Sequence, residues 1–253
     1  MAVHDQWLAP TWPVGPAQAL TTTRQGGVST GAYASLNLAA HVGDGDAAVA
    51  RNREVLAASI RVEQIQWLEQ VHGTRVVRVD TKMASIAPQA DAAWTTRAGL
   101  ALAVLTADCV PVVFSHCNGG AIAVAHAGWR GLVAGVLANL LRALPDDPDK
   151  YLTWIGPAIG VDAYQVGEEV ADAVIGMANV GRLAEDCLHD SHGPSEKYQL
   201  DLAGLAAMQL DYLGVAGVWC ERICTFADSR FFSYRRDGTT GRMATLVWLS
   251  PSH

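Results

Sequence analysis

No apolar run in this chain is long. The longest, Ala98 to Ala107, contains Thr106 and stops at Asp108, well short of the ~18 residues that a membrane-spanning helix needs. Residues Met1 to Pro13 carry neither the basic nor the apolar segment that directs export. Charge is scarce: Asp, Glu, Lys and Arg make up 17% of the chain, against about 25% in an average domain. The formal net charge is -7, which speaks against neutralising a nucleic-acid backbone. Five cysteines, Cys109, Cys117, Cys187, Cys220 and Cys224, form an odd set without framework spacing, so no disulfide scaffold is expected. These absences predict a cytoplasmic protein with reduced thiols. Its partner should be a small molecule, not nucleic acid or membrane, and its state a monomer or small homo-oligomer.

What the chain has is apolar side chain, half of its 253 residues. A chain of that length can bury about three quarters of its unfolded surface. No repeat or low-complexity stretch interrupts it, and only Pro145 to Asp149 resembles a linker. Residues 1–253 are therefore expected to form one domain. Helical patterns start at Asp44 or Asp46 and run to about Ile60, then cover Leu132 to Leu144 after Gly131, Glu168 to about Val180, and Asp201 to Leu213. Strand-like runs occupy Thr74 to Val79, Leu100 to Leu105, Val110 to Phe114, Ala121 to Ala125, Leu152 to Ile155, Val215 to Cys220 and Arg242 to Leu249. Several are apolar throughout, as strands covered on both faces are. Phe231 to Leu249 reads as a hairpin turning at Asp237-Gly238 and Gly241. The class is α/β, or α+β: mixed sheets flanked by helices.

Three segments bring a soft or borderline metal ligand to the end of an apolar run: Gln70-Val71-His72-Gly73, Thr106-Ala107-Asp108-Cys109, and Ala125-His126-Ala127-Gly128-Trp129-Arg130-Gly131. A single His is more often a hydrogen-bonded structural residue, and a buried Cys is commonly a small hydrophobe. Taken together, His72, Cys109 and His126 make a donor set that suits Zn²⁺ and leaves a fourth position free. Copper also accepts such donors. The turn from Gly128 to Gly131, with Arg130, offers amide N–H groups to an anion. Cys220 and Cys224 lack a second pair and are not expected to hold zinc. His189 and His192 lie in a polar segment and should be solvated.

The same segments, with Thr23-Arg24-Gln25-Gly26-Gly27-Val28-Ser29, Ser35-Leu36-Asn37-Leu38, His41-Val42-Gly43-Asp44, Ile155-Gly156-Pro157 and Phe231-Phe232-Ser233-Tyr234-Arg235-Arg236, closely resemble the YfiH-type family, also called the multicopper polyphenol oxidoreductase (laccase) domain family. Ala39 stands where Gly often follows Asn-Leu in that pattern. The resemblance implies one domain of mixed sheets and helices, with zinc on residues matching His72, Cys109 and His126. It further implies phosphorolysis of adenosine, inosine, guanosine and methylthioadenosine, and deamination of adenosine. Some bacterial members are credited with hydrolysing misincorporated residues from cell-wall precursors.

The residues weigh these chemistries differently. Laccase chemistry with four coppers needs paired His-x-His motifs, and none of the eight His is so placed. Deamination fits a three-ligand zinc that lowers the pKa of water, with Glu69 or Asp108 as the proton-carrying carboxylate. Phosphorolysis needs cations for phosphate. Arg24, Arg130 and the hairpin arginines, Arg235, Arg236 and Arg242, are available, and Arg24, Asn37, Arg130 and Arg236 are the expected substrate contacts. A metal-free alternative makes Cys109 the nucleophile and His126 the base of a hydrolase or amidase. Cys109, His126 and Asp108 are the expected catalytic residues, and a zinc-dependent purine nucleoside phosphorylase is the leading expectation.

Overall fold

The computed structural model describes residues 6–10, 12, 17–62, 64–80, 87–177, 184–190 and 197–250. In chain order its first elements are β1 (Ala17–Thr21), α1 (Asp46–Ile60), β2 (Gln64–Gln66), β3 (Val76–Arg78), β4 (Ala92–Thr95), β5 (Leu100–Thr106), β6 (Val110–His116) and β7 (Ile122–Ala127). Then come α2 (Trp129–Ala134), α3 (Val136–Ala143), β8 (Tyr151–Ile155), β9 (Gln165–Gly167), α4 (Glu168–Ile175), β10 (Leu188–Asp190) and β11 (Lys197–Leu200). The last are α5 (Leu202–Tyr212), β12 (Gly217–Cys220), the single turn α6 (Tyr234–Asp237) and β13 (Met243–Leu249).

Every residue of β5, β6, β7 and β13 is buried, and the period-2 alternation of strand side chains explains where each goes. Leu100, Leu102 and Val104 of β5 meet Val113, Ile122 and Val124 in one core, whereas Ala101, Ala103 and Leu105 face a second core with Leu56 and Ile60 of α1. On the other side, Val112 and Phe114 of β6 and Ala123 and Ala125 of β7 pack with Leu137 and Leu140 of α3 and Leu205 of α5. The result is two sheets face to face between helical layers. One sheet runs β1-β13-β5-β2 and the other β12-β8-β6-β7-β4-β3, with a small third sheet, β10-β11-β9. Both large sheets mix parallel and antiparallel pairs. The expected mixed α/β class holds, and the uninterrupted apolar strands are those trapped between layers.

Three expectations are corrected. The helix after Gly131 starts earlier, at Trp129, and breaks at Gly135, whose φ of +87° ends α2 and starts α3. Phe231 to Leu249 is not a hairpin. Ser233 Oγ accepts a hydrogen bond from the Arg236 amide, which caps α6, and only β13 is strand, paired with β1 and β5. Asp44 does not cap α1; its carboxylate accepts from Ser29 Oγ and Asn37 Nδ2, and Gly45 takes the cap position. The helix from Glu168 ends at Ile175, and Val180 lies outside the described residues, as does His192. His189 is exposed on β10.

Candidate metal centre and substrate cavity

Strand register brings two of the three donors together. β6 and β7 pair antiparallel with Val110 opposite Ala127 and Pro111 opposite His126, so Cys109, one residue before β6, comes level with the end of β7. His72 arrives on a loop before β3. The donor atoms of His72, Cys109 and His126 all lie within 4.8 Å of one another, a span that one ion with bonds of about 2.0–2.3 Å closes after small side-chain adjustments. His126 is buried, Cys109 half-buried and His72 exposed.

Asp91, which composition and pattern did not single out, joins the two parts. It precedes β4, is fully buried, and its Oδ1 lies 2.8 Å from His126 Nδ1. An ionised carboxylate only accepts, so His126 carries its proton on Nδ1 and presents the Nε2 lone pair to the donor group. The same oxygen accepts from the His72 amide at 2.9 Å, and Oδ2 accepts from the Gly73 and Val71 amides at 2.7 and 3.2 Å. Those three bonds hold His72 in the left-handed region, with φ of +58°, a conformation a non-glycine residue keeps only when its surroundings enforce it. The signal was present: a lone acid in Ala90-Asp91-Ala92-Ala93 must be buried and partnered or not buried at all. Gln70 clamps the same loop, donating to Leu105 O at 2.8 Å and accepting from Leu105 N at 2.7 Å.

Charge follows from this packing. Burial pushes the Cys109 thiol up, but the His126 charge and hydrogen bonds from His126 and His72 outweigh it and bring the thiol down to about 6. Burial likewise disfavours the charged His126 ring, yet the Cys109 thiolate and Asp91 push it up to about 9. The metal-free group is thus a thiolate beside an imidazolium. Asp91 itself lies below the usual carboxylate range, because hydrogen bonds from His126 and Gly73 overcome the cost of its burial.

The donors face a cavity of about 350 Å³ whose walls also include His41, Thr106, Tyr234 and Arg242. That volume falls in the range of small-molecule sites. The expected substrate contacts divide by position. Arg130 is exposed and stacks on Trp129, 4.4 Å from its centroid. Arg24 donates to Ala34 O and lies over Phe232. Arg236 donates to the Thr225, Phe226 and Phe231 carbonyls and pairs with Asp237. Asn37 is buried and accepts from the Arg242 amide. None of these four lines the cavity. Neither do the two expected proton carriers. Asp108 accepts from Thr225 Oγ1 and the Arg235 amide, each at 2.7 Å, and Glu69 is exposed beside Gln89.

The donor set fits a metal on three grounds: soft and borderline ligands, a second-shell-type carboxylate that fixes the His126 tautomer, and the absence of a side chain at Gly128. A Cβ there would stand 3.1 Å from both Cys109 Sγ and His72 Cδ2, inside the space the three donors share. All five cysteines are free. Among the described residues there is one such donor group, and no helix is long and apolar enough to cross a membrane.

Fold and site together define a mixed α/β protein that carries a His₂Cys metal-ligand group at one end of a buried sheet. The family described as multi-copper polyphenol oxidoreductase laccase matches residues 18–250, and the chain belongs to that family. A protein of Pseudomonas aeruginosa named purine nucleoside phosphorylase is 44% identical, over 97% of this chain and 99% of its own length. Escherichia coli YfiH, also named purine nucleoside phosphorylase, is 42% identical over 96% and 98%. The crystal structure of a Neisseria meningitidis protein superposes with a TM-score of 0.90 at 42% identity, covering 98% of this chain and all of that one.

Proposed function

We propose that this chain acts as one catalytic domain, a zinc-dependent purine nucleoside phosphorylase of the cytoplasm, with adenosine deamination as a secondary activity. The observation that carries this reading is the His72, Cys109 and His126 group on the wall of a cavity of nucleoside size. Relatives named purine nucleoside phosphorylase at 42–44% identity support it. Adenosine, inosine, guanosine and methylthioadenosine are the proposed substrates.

Bound zinc would supply Lewis-acid polarisation and a lowered pKa for water. The chain's own contribution is orientation. Asp91 keeps His126 in one tautomer, the Gly73 and His72 amides hold the loop, and the cavity walls exclude bulk water. In phosphorolysis an oxygen of HPO₄²⁻ bonds to C1′ of the ribose while the C1′–N9 bond breaks. Its electron pair leaves on the purine, which takes up the proton the phosphate gives up, so ribose 1-phosphate and free base result. Asp108, although tied to Thr225 and Arg235, acts in this scheme by fixing the turn that presents Cys109.

The test is incubation of the zinc-loaded protein with inosine, with and without phosphate. Formation of hypoxanthine and ribose 1-phosphate only when phosphate is present, and its loss in His126→Ala, is expected. Hypoxanthine formed equally without phosphate overturns phosphorolysis. One observation favours a second reading: the thiolate–imidazolium pair of Cys109 and His126 is that of a thiol hydrolase editing cell-wall precursors. Full activity of protein stripped of metal would support it. A four-copper oxidase is the least supported, because one three-donor group cannot hold four ions.

A further inference from the structure

Positive charge gathers at one part of the cavity without an acid to balance it. The register that sets Met243 opposite Thr106 brings Arg242 and Thr106 to the same sheet end, where both line the cavity with His41. The Arg242 guanidinium donates only to backbone carbonyls, those of Thr240 and Gly241. Arg53, stacked over Trp67, donates to Leu38 O. Among the described residues no carboxylate lies within ion-pair distance of Arg242, Arg53 or His41. The nearest acid to act on Arg242, Asp108, has its two oxygens committed to Thr225 and the Arg235 amide. Burial and the charges of Arg242 and Arg53 hold the His41 imidazole below its ordinary range, as a region of uncompensated positive potential does. Thr106, only 2% exposed, has a buried hydroxyl oxygen with no hydrogen-bond partner. A buried polar atom left unpaired is costly, and this one belongs to a residue of the cavity wall.

We propose that Arg242, His41 and the Thr106 hydroxyl form a phosphate subsite beside the His72–Cys109–His126 group. Arg242 supplies a delocalised cation with donors in a planar fork that matches phosphate oxygens, neutral His41 an N–H, and Thr106 a hydroxyl that donates once an acceptor arrives. Asn37 positions the site, since its Oδ1 holds the Arg242 amide at 3.0 Å. The inference rests on the phosphorolysis reading only in naming orthophosphate as the anion.

The test measures inorganic phosphate binding to the zinc-loaded protein by calorimetry and ³¹P line broadening, in wild type, Arg242→Gln, Arg242→Lys and Thr106→Val. Loss of a charge-assisted contact should weaken phosphate binding roughly 10- to 100-fold in Arg242→Gln, with partial recovery in Arg242→Lys and an unchanged KM for nucleoside. Thr106→Val should weaken it less while leaving the melting temperature the same or higher, because the hydroxyl has no partner to lose. If Arg242→Gln does not fold, Thr106→Val decides. Phosphate affinity within about twofold of wild type in the folded variants overturns the proposal. Ribose 1-phosphate and a nucleoside 5′-monophosphate, titrated alongside, show which phosphoryl group the subsite takes; weakening of any of the three in Arg242→Gln upholds it. Phosphate binding that depends on Arg242 in a protein that makes no ribose 1-phosphate keeps the subsite and discards phosphorolysis. Phosphorolysis with phosphate saturation unchanged in Arg242→Gln does the reverse.

Discussion

The two walls that carry the donor group are built on opposite principles. Cys109 and His126 sit at the ends of strands packed on both faces, where Val110, Val112, Ala125 and Ala127 are wholly buried. His72 sits on a loop, exposed and in a left-handed conformation. The strand wall is positioned by hydrophobic burial, worth about 1.5–3 kcal/mol per fully buried Val or Leu side chain. The loop wall has no such anchor and depends on polar contacts with two side chains, Asp91 and Gln70. A buried carboxylate that serves both walls is what lets a mobile type of segment present a ligand to a rigid pair.

The comparison is broken most directly at Asp91. In Asp91→Asn the side chain no longer only accepts, so the His126 tautomer and the 71–73 amides compete for one carbonyl oxygen. Metal affinity should fall about 10- to 100-fold, measured by competition with a chromogenic chelator, and the protein should melt at a lower temperature. The pH dependence has a definite sign. Asp91 lies below the usual carboxylate range in the folded protein, so its contribution to stability is complete above its unfolded value and is lost as pH falls through its folded value. The stability gap between wild type and Asp91→Asn should therefore be widest near neutral pH and narrow in acid. A gap that grows in acid would show that Asp91 is not held as the carboxylate.

A smaller effect is expected at Gln70, which touches only the loop wall. Gln70→Ala removes two hydrogen bonds to Leu105, each worth about 0.5–1.5 kcal/mol net. Amide exchange of residues 71–73 should quicken while that of 124–127 stays as in wild type, and metal affinity should drop less than in Asp91→Asn. Equal acceleration on β7 would mean that the walls are one cooperative unit.

The same contrast explains what could be read from the chain beforehand. β5, β6, β7 and the start of α1 follow from apolar periodicity, because burial between layers writes itself into every residue. His72, Cys109 and His126 stand out because donor-type side chains end apolar runs. Asp91 does not, because its role depends on the pairing of β4 with β7, which sets Ala92 opposite Ala125, a long-range fact that no local pattern carries. Arg236 and Arg242 look alike in sequence six residues apart. Only the capped turn α6, in place of a hairpin, turns the first onto backbone carbonyls and leaves the second facing the cavity.

The gentlest probe of the comparison is Gly128→Ala, which touches both walls without removing any bond. Gly128 has φ of -72°, a conformation alanine adopts freely, so backbone strain is not at issue. The new methyl would stand 3.1 Å from Cys109 Sγ and from His72 Cδ2, closer than a carbon normally packs. Burial holds the strand wall, so the loop wall has to yield and His72 should be the donor displaced. A drop of only about three- to tenfold in metal affinity is expected, with the melting temperature of the metal-free protein near that of wild type. If the coupling through Asp91 is as tight as its four hydrogen bonds imply, His72 cannot move alone, and exchange at residues 71–73 should rise together with the loss of affinity. Reduced affinity with an unperturbed loop would instead place the yielding on Cys109, making the strand wall the softer of the two.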